Sequence, residues 1–408
     1  MKNFAEIAKA YALKNALAHG GKAAQGNVIS SLFHEGLRKE DIKEVAKEIS
    51  EIINEVNSLG KEEQEREFEK LSKFVDERET HEGLDELPGV DAKKGVVMRF
   101  RPAPSGPLHV GNIIGGGLPN FVYVKKYGGK FYVIIDDTDP STALPESYEN
   151  IKKDCDWMFG NVYQYINASD RLEIYYKYAK ELMEKNAAYV CTCRPEEFRK
   201  FAEAREDCPC RNIPKKEVLE RWKKMLDKEG YKEGEAVLRF KTLKSEGGMK
   251  HKNPAMRDFP LARISLQKHP LQGKKFRVWP LMNLAVPVDD MELGMTHIIR
   301  GKDHKDNAER QKMMFEVFGK KYPYAFFIGR IKFRDMELSK RKITAAIKEG
   351  KFESWEDERL PTVAALRKRG FKPEAFAKFV ESRGLTEVDK VMDSKEFFKV
   401  IDNFRKES

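Results

Sequence analysis

Apolar positions run along this chain in two rhythms, and the change from one to the other divides it. Up to about residue 92 the spacing is helical. Leu13, Ala16 and Leu17 share one face, and Ile42, Val45, Ala46, Ile49, Ile52, Ile53 and Val56 form a stripe of period 3.6. Between Glu62 and Lys73 charges of alternating sign crowd together, as on a solvated helix face. This spacing predicts an appended helical domain over residues 1–92, which either touches a partner or is a packing element.

From Gly95 onward short apolar runs alternate with glycine- and proline-rich breaks and with helical spacings. Val96–Phe100 and Phe131–Ile135 read as buried strands, and strands alternating with helices predict a parallel sheet with ligands at the carboxyl ends. Leu172, Tyr175, Ala179, Leu182 and Met183 line one face of a helix over 169–186, with Ser169 as its cap. Residues 194–275 interrupt the pattern with charges and prolines. The sheet is expected to resume over Val278–Val286 and to continue through Ile298–Ile299. Beyond Thr344 the spacing of Leu360, Val363, Leu366, Phe371, Phe376, Phe379 and Val380 is helical again.

Two breaks carry candidate chemistry. The run Arg99-Phe100-Arg101-Pro102-Ala103-Pro104-Ser105-Gly106-Pro107-Leu108 leads into His109-Val110-Gly111-Asn112 and a second apolar segment. A strand feeding a helix through such a turn offers free N–H groups and a positive dipole end to an anion, with His109 and Asn112 as further donors. The other break, Glu337-Leu338-Ser339-Lys340-Arg341-Lys342, sets lysines after the apolar stretch Phe326–Phe333. They suit the charge on a pyrophosphate leaving group, or else form a solvated basic loop. Taken together the two breaks read as a nucleoside triphosphate site. The acidic run Asp136-Asp137-Thr138-Asp139 closes the second strand and could serve as a metal site or a helix cap.

Composition narrows the class. In 408 residues the formal charge is +10 and 35% of side chains are charged, a balance that favours an anionic partner such as RNA. No apolar stretch reaches the length of a membrane span and no signal peptide opens the chain, so a soluble, cytoplasmic protein is expected. Cys191-Thr192-Cys193 and Cys208-Pro209-Cys210 are two close pairs. In a cytosolic protein they read as a structural tetrahedral Zn2+ site more readily than as disulfides, with free thiols the alternative. Cys155 stands alone on a helix and reads as simply buried.

The pair of breaks, in this order, resembles the class I aminoacyl-tRNA synthetases, and among them the archaeal-type glutamyl-tRNA synthetases. His109-Val110-Gly111-Asn112 is similar to the HIGH signature and Leu338-Ser339-Lys340-Arg341 to the core of KMSKS. The resemblance runs from about Gly95 to the end of the chain and implies an α/β fold. Its parts are a Rossmann-type catalytic core over 93–190 and 276–345, an inserted acceptor-end-binding domain over 191–275 and a helical stem-contact domain over 346–408. It implies activation of glutamate by ATP with Mg2+ and transfer to the terminal ribose of tRNA(Glu), with tRNA(Gln) as a further substrate. His109, Gly111, Asn112 and Lys340 would bind ATP, and Ser339, Lys340 and Lys342 would face the pyrophosphate. Arg99, Asp136 and Arg300 would hold glutamate: Asp136 the ammonium, Arg300 the side-chain carboxylate, Arg99 that carboxylate from the other side. Arg300 could instead pair only with Asp303 or the acidic loop. Lys241, Lys244, Lys250, Lys252, Arg257 and Arg263 would contact tRNA phosphates.

The chain departs from that pattern in places. Gly115-Gly116-Gly117 and Pro119 are poor helix residues after His109. Ile134 and Ser141 stand where arginines are expected, and Met282 where many relatives have a tyrosine. No run of alternating strands follows residue 345, so the β-rich anticodon-reading region is missing from this sequence. A fragment, a separate anticodon-binding chain, or loss of anticodon reading would each account for that. Three other readings stay open: a glutaminyl enzyme, a core-only relative that glutamylates a modified tRNA base, and an inactive tRNA-binding paralogue.

Overall fold

The computed structural model describes residues 3–35, 37–38, 41–75 and 84–406. Two compact units make up the chain, Met1–Thr80 and His81–Ser408. Among its described residues the first contains four α-helices, α1 (Phe4–Ala18), α2 (Gln25–His34), α3 (Ile42–Ser58) and α4 (Lys61–Leu71). The expected stripe does bury: Ile49, Ile53 and Val56 of α3 pack with Leu13 and Ala16 of α1 and Leu32 of α2. On the charged α4, Gln64 is fully buried, and its Nε2 donates to the carbonyls of Val56 (2.9 Å) and Gly21 (3.0 Å). The boundary falls at residue 80 and not at 92, because Leu84, Leu87 and Val90 pack into the second unit's core.

That second unit opens with β1 (Val96–Phe100), then α5 (Val110–Asn112), a π-helical turn over Ile113–Gly117, and α6 (Leu118–Tyr127). Next come β2 (Gly129–Ile135), α7 (Pro145–Phe159), β3 (Gln164–Asn167) and α8 (Leu172–Glu184). β1, β2 and β3 form a parallel sheet, Val96 opposite Gly129 and Tyr132 opposite Gln164. Strands covered on both faces should be apolar throughout, and β2 is buried continuously from Phe131 to Ile135. Ser169 does not cap α8. It lies in a short 3-10 turn, and its N–H and hydroxyl both go to Asp137 at 2.7 Å.

An antiparallel sheet follows, built from β4 (Ala188–Cys191), β5 (Val237–Phe240), β6 (Pro260–Ile264) and β7 (Val278–Pro280), with α9 (Pro195–Ala204) and α10 (Lys215–Leu226) between its first two strands. The parallel sheet therefore does not resume at Val278. Trp279 pairs with Arg263, and both ends of the inserted segment contribute a strand to its sheet, so it reaches from 188 to 280 rather than 191 to 275. The apolar run after β7 is α11 (Met282–Glu292), a helix despite Pro287.

Parallel pairing returns with β8 (His297–Gly301), α12 (Lys305–Val317) and β9 (Tyr324–Ile328). Thr296 ties β8 to β1: its N–H donates to the Val97 carbonyl at 3.0 Å and its hydroxyl accepts the Val97 N–H at 2.9 Å. The strands thus run β3-β2-β1-β8-β9, and the order reverses between β1 and β8. At such a switch point a crevice opens beyond the carboxyl ends of the strands. The chain ends in β10 (Ile331–Phe333), α13 (Lys340–Lys348), α14 (Val363–Lys368), α15 (Pro373–Arg383), β11 (Lys390–Met392) and α16 (Ser394–Lys406). This last region is not purely helical, since β11 pairs in parallel with β10. Nor is it a core of its own: Phe371, Phe376, Phe379 and Phe397 join the same cluster as Phe121 and Phe131.

Candidate active site

A cavity of about 480 Å³ opens at the switch point, within the size range of small-ligand sites. His109, Gly111, Asn112, Arg99, Asp136 and Arg300 all line it. Residues up to 201 positions apart in sequence are thus brought to one surface (Arg300 minus Arg99).

The turn after β1 is held on two sides. Asp136 N–H donates to Pro102 O (2.9 Å) and Leu144 N–H to Pro104 O (2.9 Å), tying it to the loop after β2. From the C-terminal region, the Val110 N–H donates to Pro361 O (2.8 Å) and the Val363 N–H to Leu108 O (2.9 Å). His109 caps the helix that starts here. Its N–H goes to Asn112 Oδ1 at 3.2 Å, so the free donors of Asn112 are on its Nδ2. The imidazole Nδ1 of His109 is buried without a partner, and burial together with the Lys340 charge lowers its pKa to about 3. His109 is therefore neutral at physiological pH. A neutral imidazole with an unused nitrogen can hydrogen-bond a phosphate oxygen without a charge penalty of its own.

Of the glycines after this turn, Gly117 answers a packing demand. A Cβ on Gly117 would lie 2.8 Å from the Phe159 ring, whereas one on Gly115 would meet nothing within 4 Å. Gly115 and Gly116 line the cavity. The π turn they form is a distortion of the kind that gathers at functional sites.

Among the described side chains of the second motif, only that of Leu338 lines the cavity. Lys340 Nζ donates to the carbonyls of Gly106 (2.9 Å) and Ala103 (3.1 Å), so it lies against the turn that His109 closes. Burial lowers its pKa to about 8, opposed by the charge of Asp154. Ser339 precedes α13 with its N–H on Glu337, and Lys342 pairs with the same Glu337 at 2.9 Å. Neither reaches the cavity here.

The three expected glutamate ligands differ in how free they are. Arg99 is closed on Asp290 by two hydrogen bonds, Nε to Oδ1 (2.5 Å) and Nη2 to Oδ2 (2.9 Å). It does not present an open fork, because the buried Asp290 must itself be neutralised. Asp136 is paired with Arg101 Nη2 at 3.3 Å, and Arg101 Nη1 reaches the buried Asp289 at 2.5 Å. Asp289 also takes Arg171 Nε (2.6 Å) and the Tyr175 hydroxyl (2.8 Å). Arg300, by contrast, has no carboxylate partner among the described residues. Its Nη1 donates to Gln311 Oε1 at 3.0 Å and its Nη2 lies 3.9 Å from Met282 Sδ. Asp303, the expected competitor, pairs with Arg330 at 2.7 Å. Burial, and then repulsion from Arg99, lower the pKa of Arg300 to about 10, which still leaves it charged. A buried cation on a cavity wall with no internal anion is a site for an external one.

Sequence reasoning missed Arg101, Asp154, Asp289 and Asp290. The doublet Asp289-Asp290 inside an apolar run was a usable signal, since buried carboxylates require cations. Asp154 gave none. It accepts the Leu108 N–H at 3.2 Å, and burial raises its pKa to about 7.

Apart from the cavity, the four cysteines converge at the end of β4. Cys191 and Cys208 Sγ are 4.0 Å apart, Cys193 and Cys210 Sγ 3.8 Å, and the sulfurs of Cys191, Cys193 and Cys208 lie within 4.8 Å of one another. Cys210 Sγ accepts from Thr192 N–H (3.4 Å) and Arg221 Nη1 (3.3 Å). Hydrogen bonds from the neighbouring thiols hold the Cys191 proton on and favour the Cys210 thiolate. Three of these sulfurs, Cys191, Cys193 and Cys208, lie close enough to share one metal ion, with Cys210 beside Cys193 at 3.8 Å. Among the expected phosphate contacts, Arg257 is committed elsewhere: it is buried and donates to the carbonyls of Ala202 and His251 (2.8 Å each). Arg263 pairs with Asp139 at 2.8 Å, and Lys241 contacts Asn186 at 3.0 Å. Lys244, Lys250 and Lys252 are exposed.

A doubly wound parallel sheet whose switch-point crevice carries a His-x-Gly-Asn turn and a row of cations is an architecture of nucleotide-binding α/β proteins. The family model for class I tRNA synthetases (E and Q), catalytic domain, matches residues 95–404. The chain is 44% identical to the glutamate–tRNA ligase of Thermococcus kodakarensis, over 95% of this chain and 68% of that protein. It is 43% identical to the glutamate–tRNA ligase of Methanocaldococcus jannaschii, over 93% of this chain and 66% of that one. A solved glutamate tRNA ligase from Elizabethkingia meningosepticum, in complex with its amino acid, superposes with TM-score 0.53 at 20% identity, over 76% of this chain and 69% of that one. The chain belongs to the class I tRNA synthetases of the E and Q type. No helix among the described residues is long and apolar enough to cross a membrane.

Proposed function

We propose that this protein is a glutamate–tRNA ligase, which activates glutamate with ATP and passes it to the 3′-terminal ribose of tRNA(Glu). The observation that carries the reading is Arg300, a buried arginine on the cavity wall with no carboxylate of its own. A substrate with a side-chain carboxylate completes that pair, and a neutral amide leaves the cation unmatched. Removing one partner of such a desolvated pair typically costs about 3–5 kcal/mol. A glutaminyl enzyme would call for a neutral residue at position 300.

In the first step the α-carboxylate of glutamate attacks the α-phosphorus of ATP, bound as its Mg2+ complex, and pyrophosphate leaves. The neutral His109 and the Nδ2 of Asn112 donate to phosphate oxygens, over the open floor that Gly115 and Gly116 provide. Lys340 exchanges the Ala103 and Gly106 carbonyls for the pyrophosphate as charge builds on it, with Ser339 and Lys342 brought along by the same movement. No covalent enzyme intermediate forms, so the chain contributes position and charge. Asp136 takes the substrate ammonium while Arg101 and Arg99, braced by Asp289 and Asp290, shape the wall around it. In the second step the ribose hydroxyl of tRNA attacks the adenylate carbonyl, the bond to the phosphate oxygen breaks, and AMP leaves as the glutamyl ester forms. The inserted sheet would guide the acceptor end through Lys244, Lys250 and Lys252. Cys191, Cys193, Cys208 and Cys210 would hold a structural Zn2+, which staples the insertion and takes no part in the reaction. A cytoplasmic location goes with this reading, as translation takes place there.

ATP–pyrophosphate exchange, with and without total tRNA and with glutamate or glutamine, tests this. Glutamate-dependent exchange that requires tRNA is expected. Exchange with glutamate in the absence of tRNA would instead point to an enzyme that glutamylates a modified tRNA base, and exchange with neither amino acid would overturn the reading.

A further inference from the structure

Behind Arg300 lies a row of buried and half-buried polar side chains that do not line the cavity. Gln311 of α12 is fully buried, and its Oε1 accepts from Arg300 Nη1 at 3.0 Å and from the Tyr322 hydroxyl at 3.2 Å. Its Nε2 donates to Asn283 Oδ1 at 3.4 Å, and Asn283 Nδ2 donates to Asn307 Oδ1 at 3.2 Å. Chemistry fixes this direction. A guanidinium has no acceptor, so the amide must turn its oxygen to Arg300 and its nitrogen away.

Among the buried arginines on the cavity wall the neutrality of this partner sets Arg300 apart, whereas Arg257, buried in the insertion, is likewise held by neutral carbonyls. Arg99 and Arg211 are buried to a similar degree, and each closes on a carboxylate, Asp290 and Asp258. Arg300 is held by an oxygen that fixes its orientation without cancelling its charge. We propose that Gln311 is a positioning residue for substrate selection, which keeps Arg300 aimed and uncompensated so that the substrate's own carboxylate completes the ion pair. This rests on the glutamate reading above. A residue two shells from the solvent thereby decides whether the pocket prefers an anion or an amide.

The test is direct binding of L-glutamate and L-glutamine to the full chain by titration calorimetry, with total tRNA present throughout. Gln311→Glu puts a carboxylate against Arg300, where the guanidinium keeps it ionised. Glutamate affinity should fall about 100-fold while glutamine changes by no more than about threefold, so that the preference collapses. Gln311→Met, neutral and of similar size, should weaken glutamate about tenfold through lost orientation and still leave it preferred. A merely structural role would weaken both ligands together in both variants. If Gln311→Glu fails to melt cooperatively, the same ratio is read in Asn283→Asp, where a carboxylate one link further back should lower it about tenfold. A preference unchanged in the carboxylate variant overturns the inference and leaves the glutamate reading intact. A wild-type chain that binds glutamate no better than glutamine overturns both.

Discussion

At the scale of single residues, burial shifts three titratable groups around the turn after β1, and the signs differ. His109 falls to about 3 and Lys340 to about 8, while Asp154 rises to about 7. The buried neutral His109 stabilises the fold fully above 6.5, and that contribution is lost as pH falls toward 3. For Asp154 the folded value lies above its ordinary 3.8, so its contribution is full below 3.8 and lost as pH rises through 7. The two slopes oppose each other over most of the same window. Asp154→Asn keeps an acceptor for the Leu108 N–H and removes the titration. Its stability relative to wild type should therefore climb between pH 4 and 7, by up to about 1.4 kcal/mol per pH unit. Urea melts across that range measure it, and a difference flat with pH would return Asp154 to ordinary behaviour. Lys340→Ala removes the cation proposed to reach the leaving group, so adenylate formation should slow by roughly 10²–10³. Rapid-quench kinetics at saturating ATP would show it, and an unchanged rate would take Lys340 out of the mechanism. His109 and Lys340 were legible because a short motif carries them. Arg101 and Asp154 were not, since Arg101 meets Asp289 188 positions away, and Asp154 is set by burial and by the Leu108 N–H 46 positions away.

Among the elements, the glycine run following His109 read as poor helix sequence and forms a π turn beside the cavity. Two of its glycines separate the causes cleanly. Gly117→Ala drives a Cβ into the Phe159 ring, 2.8 Å away, and overpacking of that kind typically costs about 1–3 kcal/mol. Gly115→Ala enters open space at the cavity. Thermal denaturation should therefore detect the first and not the second, whereas the KM for ATP should rise in Gly115→Ala. Equal melting losses in both would mean that the π turn, and not the local contact, sets the requirement. Sequence periodicity located β1, β2 and the α3 stripe well, since each is a clean run of one period. It failed over 278–286, where β7 passes straight into α11. A short buried apolar run has the same pattern in either form, and Pro287 argued against the helix that forms. Strand pairing was out of reach altogether: nothing local tells that β4 and β7 join the inserted sheet instead of the parallel one.

Over the whole molecule, a net charge of +10 is useful to an RNA enzyme only where side chains are free to meet phosphate. The inserted region separates free from committed cations. Arg257 looked as available as its neighbours in the sequence, yet it is buried and spends its donors on backbone carbonyls of Ala202 and His251, which closes the loop before β6. Lys244, Lys250 and Lys252 stand exposed around the same loop, and no ion pair or hydrogen bond is described for their side chains. Counterion release then distinguishes them. Each lysine that meets a phosphate should contribute about 0.7–0.9 to the slope of log K against log salt for tRNA binding. Changing all three to alanine should lower that slope by about 2–3 with the melting temperature unchanged. Arg257→Ala should do the reverse, leaving the slope and lowering the melting temperature, because carbonyls that were satisfied inside the fold lose their donors. Binding titrations between low and moderate salt, paired with melting curves, read both quantities on the same proteins. A triple variant with the wild-type slope would move the acceptor path away from this face of the insertion, while the cavity chemistry at β1 and β8 would stand as described.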